Sequence, residues 1–298
     1  MLHSFYVFSL DSGDTHKMAK KVGIVSRVDR EKAVKLASRL INHLEAKGLA
    51  IMLDPRLTKH VNRPELSTPL EKMQADLVMT IGGDGTILRT SLQLPKPEPP
   101  ILAVHMGVRG FLAEVKPEDA IKAVDGFLAG RFKLEKCMKL ASYIGNVRLP
   151  DALNEVVFTS WAPAKLLHMR LWKDSVPMAE CRSDGAVVAT QVGSTAYSLS
   201  AGGPVIDPEV QAFVFTPIAP LTVFHPIVFS SESTLHVDFV NPKKAVVVVD
   251  GHHQAEIDSK KARITVKKSE YTSSFVRFSD NFYHRLQGRL LFSRGERR

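Results

Sequence analysis

The sequence predicts a chain in two parts: an α/β N-terminal domain built on a parallel sheet, then a β-rich, sandwich-like C-terminal domain. Three observations carry this. Up to about residue 130, short apolar strand segments alternate with amphipathic helical segments, the pattern of a parallel sheet with helical crossovers. From Arg131 onward helical periodicity fades, and short β-branched runs recur between turn signals at Gly145-Asn146, Lys173-Asp174-Ser175 and Asn241-Pro242. The chain has 298 residues, enough to bury two cores.

Residues 1–18 read as an N-terminal extension, because Met18 followed by Ala19, Lys20 and Lys21 looks like an alternative start. Val22 to Val25 forms a short buried strand. Asp29 is placed to cap a helix whose Ala33, Ala37, Leu40, Ile41 and Leu44 share one face, and Gly48 ends it. Leu49 to Leu53 is the next strand, stopped by Asp54-Pro55. Leu77 to Ile81 is a third strand, running into Gly82-Gly83-Asp84-Gly85-Thr86, and Thr86 to Leu94 is the helix after it. Pro95 to Pro100 is a proline-rich crossover to a strand at Ile101 to Val104. Pro117 to Leu128 is a helix with proline in its first turn and Glu118 and Asp119 at its positive end. In the second half, Val156 to Phe158, Leu166 to Leu171, Ala186 to Ala189, Leu235 to Val240 and Ala245 to Val249 are strands. The expected division is 1–18, 19–130, 131–270 and a closing segment 271–298.

Composition narrows the function. The apolar stretch from Phe213 to Phe229 is broken by Pro217, Pro220 and Pro226, so no membrane span is expected. The N-terminus lacks a secretory signal pattern. Cys137 and Cys181 are the only cysteines, which suits buried thiols in a reducing cytoplasm. The net charge is +9, but Lys and Arg are scattered rather than striped, so a small polyanionic substrate is favoured over nucleic acid. No zinc-ligand spacing occurs, and His252-His253 would point to opposite sides of an extended chain. No G-x-x-x-x-G-K is present, so this is not a Walker-type kinase.

Two glycine-rich segments about a hundred residues apart carry the chemistry. In Gly82-Gly83-Asp84-Gly85-Thr86 the glycines let backbone N–H groups approach a phosphate, while Asp84 cannot be there for phosphate charge. It is suited to take a proton, hold a sugar hydroxyl or place a metal ion. The second segment runs from Ser183-Asp184-Gly185 through Gly193-Ser194-Thr195-Ala196-Tyr197-Ser198-Leu199-Ser200-Ala201-Gly202-Gly203-Pro204. Taken alone, GGDGT resembles loops in diacylglycerol and sphingosine kinases and, more loosely, in phosphofructokinases, all of which phosphorylate a hydroxyl.

Four further matches narrow the resemblance. They are Leu153-Asn154-Glu155, the run His105-Met106-Gly107-Val108-Arg109-Gly110-Phe111-Leu112, the GSTAYSLSAGGP segment, and Pro217-Ile218-Ala219-Pro220 ahead of Pro226-Ile227-Val228. With them, the chain from about Lys21 to about Gln254 resembles the NAD kinase family, which phosphorylates the adenosine ribose of NAD. The resemblance implies a Rossmann-like, phosphofructokinase-like first domain, with residues 271–298 returning to it. It implies Asp84 as general base for the 2′-hydroxyl. It implies an NAD site of Asp84, Gly85, Phe111, Asn154, Glu155, Arg182, Asp184, Thr195, Ala196, Tyr197, Ser198, Ser200, Ala219 and Gln254. Gly82, Gly83, Gly85, Thr86 and Arg89 are assigned to the phosphate donor, either ATP or polyphosphate. No metal ligands are assigned in the chain; Mg²⁺ or another divalent cation is expected to arrive with the donor. The resemblance also implies a cytoplasmic homodimer or homotetramer.

The chain departs from the family pattern in three places. His105 stands where many relatives have Asn, Thr190-Gln191-Val192-Gly193 replaces Thr-Pro-Thr-Gly, and Asp250-Gly251-His252-His253-Gln254 expands Asp-Gly-Gln. A lipid kinase accounts for GGDGT but not for Asn154-Glu155 or GSTAYSLSAGGP. A non-catalytic NAD(P) sensor on the same fold has no need of Asp84.

Overall fold

The computed structural model describes residues 19–107, 110–162, 165–240, 244–257, 263–279 and 286; the expected N-terminal extension, Val108-Arg109 of the fourth-strand motif and most of 280–298 lie outside them. The first half runs β1 (Lys21–Ser26), α1 (Glu31–Ala46), β2 (Ala50–Leu53), α2 (Pro55–Val61), β3 (Leu77–Gly82), α3 (Asp84–Gln93), β4 (Ile101–His105) and α4 (Ala120–Leu128). Its strands lie parallel in the order β2-β1-β3-β4. Helices cover both faces, so all six residues of β3 are buried. On one face Leu36, Leu40 and Leu44 of α1 pack with Ile24, Met79 and Val124. On the other, Ile87 and Leu88 of α3 pack with Val25, Val78 and Ala103.

Three local expectations are corrected. Asp29 does not cap α1: Arg30 occupies the cap with no side-chain bond, and the Asp29 carboxylate is gripped by the Arg27 guanidinium through Nε (2.8 Å) and Nη2 (2.5 Å). A two-pronged charged bond outcompetes a lone backbone N–H. Asp54-Pro55 does more than stop β2. Asp54 accepts from Arg56 N at 3.2 Å and Pro55 opens α2. The helix expected from Pro117 begins as a 3₁₀ turn over Pro117–Asp119, and the α-helix itself starts at Ala120.

The second half contains β5 (Lys133–Ile144), β6 (Val147–Arg148), β7 (Glu155–Ser160), β8 (Leu167–Lys173), β9 (Val176–Ser183), β10 (Gly185–Thr190), α5 (Tyr197–Ser200), β11 (Ala212–Ile218), β12 (Ile227–Ser230), β13 (Leu235–Phe239), β14 (Ala245–Val249), β15 (His253–Ile257) and β16 (Ile264–Arg277). One antiparallel sheet has the order β12-β11-β10-β7-β14-β15. It faces a second antiparallel layer made by β5, β16, β13, β8 and β9. Phe158, Val188, Phe213 and Phe215 from the first layer meet Met169, Leu171, Leu235 and Val266 from the second, which is the core of a sandwich. The second layer is continuous with the parallel sheet, because Phe275 of β16 lies beside Ile101 of β4. Both cysteines are buried and neither is in a disulfide.

Candidate active site

Asp84 is the first residue of α3, one position beyond the Gly83 cap that follows β3. Its carboxylate accepts the backbone N–H groups of Phe111 (3.0 Å) and Leu112 (3.4 Å) from the segment after β4. That segment comes so near that a Cβ on Gly110 would overlap the Asp84 carboxylate. Leu112 is held from its other end. Arg277 Nη1, at the end of β16, donates to Leu112 O (2.7 Å), and Arg277 Nε donates to Glu135 Oε2 on β5 (2.5 Å). Strand β3, the Gly110–Leu112 segment and the β5–β16 pair thus jointly fix one half-buried carboxylate. Side chains at Gly83 or Gly85 would meet nothing, so the loop beside Asp84 is open to a ligand.

Asn154 and Glu155 sit where β7 begins. Strand geometry alone would turn adjacent residues to opposite faces. Here the turn is clipped by Asp250, whose carboxylate accepts from Leu153 N (2.7 Å), Asn154 N (2.8 Å) and Glu155 N (3.0 Å). Strand β10 ties down the other side. Thr190 Oγ1 donates to Leu153 O (2.7 Å), Thr190 N donates to Asn154 O (2.9 Å), and Gly193 N donates to Thr190 Oγ1 (3.0 Å). Only glycine fits at 193, because a Cβ there would overlap Asn154 O. The backbone is therefore satisfied while the side chains are not. Asn154 Oδ1, Glu155 Oε2, Gln191 Oε1 and His105 Nε2 are all buried without a hydrogen-bond partner. Each such group costs about 1–3 kcal/mol, and those of Asn154, Glu155 and Gln191, gathered where β7 begins and β10 ends, are suited to a polar ligand. Burial, reinforced by the neighbouring Asp250 charge, pushes the Glu155 carboxyl up to about 8. Burial also raises Asp250, against the pull of its three backbone donors.

The remaining predicted residues distribute unevenly. Thr195 is buried, its hydroxyl donating to Val192 O at 3.0 Å, and Ala196 follows it half-buried. Tyr197 and Ser200 are exposed at the two ends of α5. Ser198 is turned inward and shares a 2.9 Å hydrogen bond with Thr216, so its hydroxyl braces α5 on β11. Arg182 and Asp184 are exposed where β9 passes into β10, and Asp184 N and Leu221 N bond to Ile218 O (3.0 Å) and Arg182 O (2.7 Å). Those bonds bring Ala219 to the same corner, with a positive φ of 45°. Phe111 is buried next to Asp84. Gln254 is exposed on the edge strand β15, opposite Val248. Arg89 lies buried on α3 with Nη2 2.5 Å from Asp54 Oδ2. Gly110 and Asp250 entered the sequence reading only as members of motif runs, with no role assigned, and Arg277 was not singled out. The late Asp-Gly was the one visible signal, because a positive φ at both Asp250 and Gly251 makes the tight turn that aims the carboxylate back at β7.

The family described as ATP-NAD kinase N-terminal domain matches residues 22–132, and ATP-NAD kinase C-terminal domain matches residues 153–278. An NAD kinase of Methanothermobacter thermautotrophicus is 41% identical over 274 residues, covering 91% of this chain and 96% of that protein. An NAD kinase of Thermococcus sibiricus is 37% identical over 268 residues, covering 88% and 96%. This chain belongs to the NAD kinase family. Among solved structures, an NAD kinase from Archaeoglobus fulgidus in complex with ATP superposes with a TM-score of 0.75 at 30% identity, covering 90% of this chain and 97% of that one. Yeast NADH kinase complexed with NADH shares the fold, with a TM-score of 0.86 over 95% of this chain and 90% of that one at 24% identity. The expected fold class is borne out: a parallel α/β half and a β-rich half, in a chain whose structural neighbours are NAD kinases.

Proposed function

We propose that this member of the NAD kinase family transfers a phosphoryl group from ATP or polyphosphate to the 2′-hydroxyl of the adenosine ribose of NAD, making NADP. The observation that carries the reading is the Asp84 carboxylate, held by two backbone N–H groups beside an open glycine loop. A secondary alcohol is a poor nucleophile until a positioned base accepts its proton, and in phosphoryl transfer positioning supplies most of the rest. Asp84 is that base. Asn154 and Glu155 receive ribose hydroxyls, their unpartnered oxygens supplying acceptors at the mouth of β7. Gly85, Phe111, Thr195, Ala196, Tyr197 and Ser200 line the dinucleotide, with Arg182, Asp184 and Ala219 at the far corner; Ser198 supports them through Thr216, and Gln254 has the weakest claim. Gly82, Gly83, Thr86 and Arg89 border the donor. A lipid kinase or a silent sensor is not favoured, since neither accounts for the paired acceptors together with an intact Asp84.

Among the described residues no three His, Cys, Asp or Glu gather as metal ligands. Mg²⁺ or another divalent cation would arrive on the donor's phosphates, where it would neutralise developing charge. Further parts of the reading are a cytoplasmic homodimer or homotetramer, a boundary near residue 130, and a return of 271–298 to the first domain. No partner of nucleic acid or membrane type is part of it. No helix among the described residues is long and apolar enough to cross a membrane.

The deciding assay supplies NAD with ATP, other nucleoside triphosphates or polyphosphate in turn, and offers the product to an NADP-specific dehydrogenase. The expected product is the 2′-phosphate alone. A 3′-phosphate, or a phosphorylated lipid with no product from NAD, defeats the reading.

A further inference from the structure

Gln191 follows the last residue of β10 and is 3% exposed, yet its side-chain oxygen Oε1 has no hydrogen-bond partner among the described residues. The turn around it is braced by other groups. Thr190 Oγ1 donates to Leu153 O and accepts from Gly193 N, while Gln191 O accepts from Ser194 N (3.3 Å) and Ser194 Oγ (2.5 Å). Ser194 Oγ in turn accepts from Ile206 N (3.0 Å). The carboxamide oxygen is therefore not needed to hold its own turn. Ala189 lies opposite Glu155, and Thr190 N bonds to Asn154 O (2.9 Å), so Gln191 opens the segment that packs on the Asn154-Glu155 turn, with Gly193 against Asn154 O. The family's Thr-Pro-Thr-Gly pattern places proline here, a residue with no polar side-chain atom. Relative to that pattern the buried acceptor is new.

Resting on the NAD kinase reading above, we infer that Gln191 is a specificity-determining residue whose Oε1 accepts from the exocyclic amine of the adenine of NAD. A buried oxygen left unmet is costly in the free protein, and an apolar side chain of the same shape would avoid that cost. A ligand that donates to it removes the cost instead. Oε1 can only accept, so the ligand group must carry a hydrogen. Asn154 and Glu155 are given to ribose hydroxyls, and the reacting hydroxyl lies with Asp84. On the adenosine half of NAD, the exocyclic amine is the donor left over. The nicotinamide amide is the poorer candidate. With the adenosine at this end of β10, the dinucleotide runs toward the Arg182, Asp184 and Ala219 corner at the strand's other end, six residues or roughly 20 Å away. Discrimination follows from the pairing. In the deamino analogue of NAD, hypoxanthine presents a carbonyl oxygen where adenine presents its amine, so two acceptors would meet. A site that pairs a substrate N–H rejects an analogue lacking it.

The experiment uses the full chain and follows label transferred from ATP or polyphosphate, so product is counted whatever the base. The acceptors are NAD, deamino-NAD and the acetylpyridine analogue of NAD, which lacks the nicotinamide amine. Wild type should use deamino-NAD about tenfold or more less efficiently than NAD in kcat/KM, and the acetylpyridine analogue about as well as NAD. Gln191→Met keeps the length of the side chain and removes the acceptor. It should raise the NAD KM about tenfold with kcat nearly held, leave deamino-NAD no worse, and so erase the preference. Without ligand its thermal midpoint should equal or exceed that of wild type, because the unmet oxygen is gone. A purely structural Gln191 would instead lower the midpoint and shift both dinucleotides alike. Equal use of NAD and deamino-NAD by wild type overturns the inference, and that comparison needs no variant to fold. A preference kept by Gln191→Met, or a loss seen only with the acetylpyridine analogue, overturns it too, while NAD phosphorylation stands. A wild-type chain that phosphorylates no dinucleotide with any donor removes the reading beneath it.

Discussion

Asp84 in the α/β half and Glu155 in the β-rich half are held in opposite ways. Asp84 has its carboxylate met by two backbone N–H groups and stands half-buried beside an open loop. Glu155 is buried, has an oxygen without a partner, and is pushed up to about 8. Its backbone, by contrast, is clamped by Asp250 and β10. The α/β half therefore presents a satisfied group in a fixed place, which is what a base needs before substrate arrives. The β-rich half fixes the frame and leaves the side-chain polarity unanswered, so a ligand there gains by relieving a cost already present in the free protein.

The largest test of that contrast is Asp84→Asn, which keeps shape and removes basicity. Turnover should fall by about 10²-fold or more while NAD still binds, the usual scale for losing a general base. Steady-state kinetics alongside NAD calorimetry would separate the two effects, and near-normal turnover in a folded Asp84→Asn protein removes Asp84 from the mechanism. A second, smaller effect belongs to Gly110→Ala. The added methyl overlaps the Asp84 carboxylate and must displace it. We expect turnover down about tenfold with little change in NAD affinity, since a displacement near 1 Å is enough to spoil alignment. Turnover equal to wild type would show that Asp84 is not held as tightly as its two backbone bonds imply.

The smallest effect on turnover, and the sharpest on pH, concerns Glu155→Gln. Folding raises the Glu155 pKa from its ordinary 4.5 to about 8, so the folded chain holds a proton that the unfolded chain has released between those values. Stability from this residue is full below 4.5 and is lost as pH rises through about 8. Asp250 is shifted in the same direction and adds to the slope. Glu155→Gln should flatten it, so the variant gains on wild type between pH 5 and pH 9. Urea midpoints at those two pH values measure the gain, and an identical pH slope in both proteins would mean Glu155 ionises freely in the fold.

The α/β half was legible almost strand by strand, because parallel strands buried on both faces are written as short apolar runs such as Leu77 to Ile81. What it hid was local: a guanidinium took Asp29 away from the helix start, and Pro55 opened a helix no periodicity announced. In the sandwich, the long strands β5 and β16 went unread. Their sequences, Lys133–Ile144 and Ile264–Arg277, mix apolar residues with Lys139, Ser269 and Ser273, polar groups that the fold buries in hydrogen-bonded pairs or at a bulge. The candidate site was visible where chemistry concentrates in a motif, as at GGDGT and Asn154-Glu155. Its supports, Asp250 and Arg277, lie 95 and 165 residues from Glu155 and Leu112, the residues they hold, and no local pattern reports such a partnership.

Strand β16 is fourteen residues long and pairs with β13 near one end and with β4 near the other, while β5 runs antiparallel along most of its length. A single uninterrupted sheet therefore passes beneath both halves of the molecule. Two lobes joined in this way have no free hinge at the seam, since swinging one against the other would tear backbone pairs from β16. The spacing between the two lobes is therefore set by the strand they share.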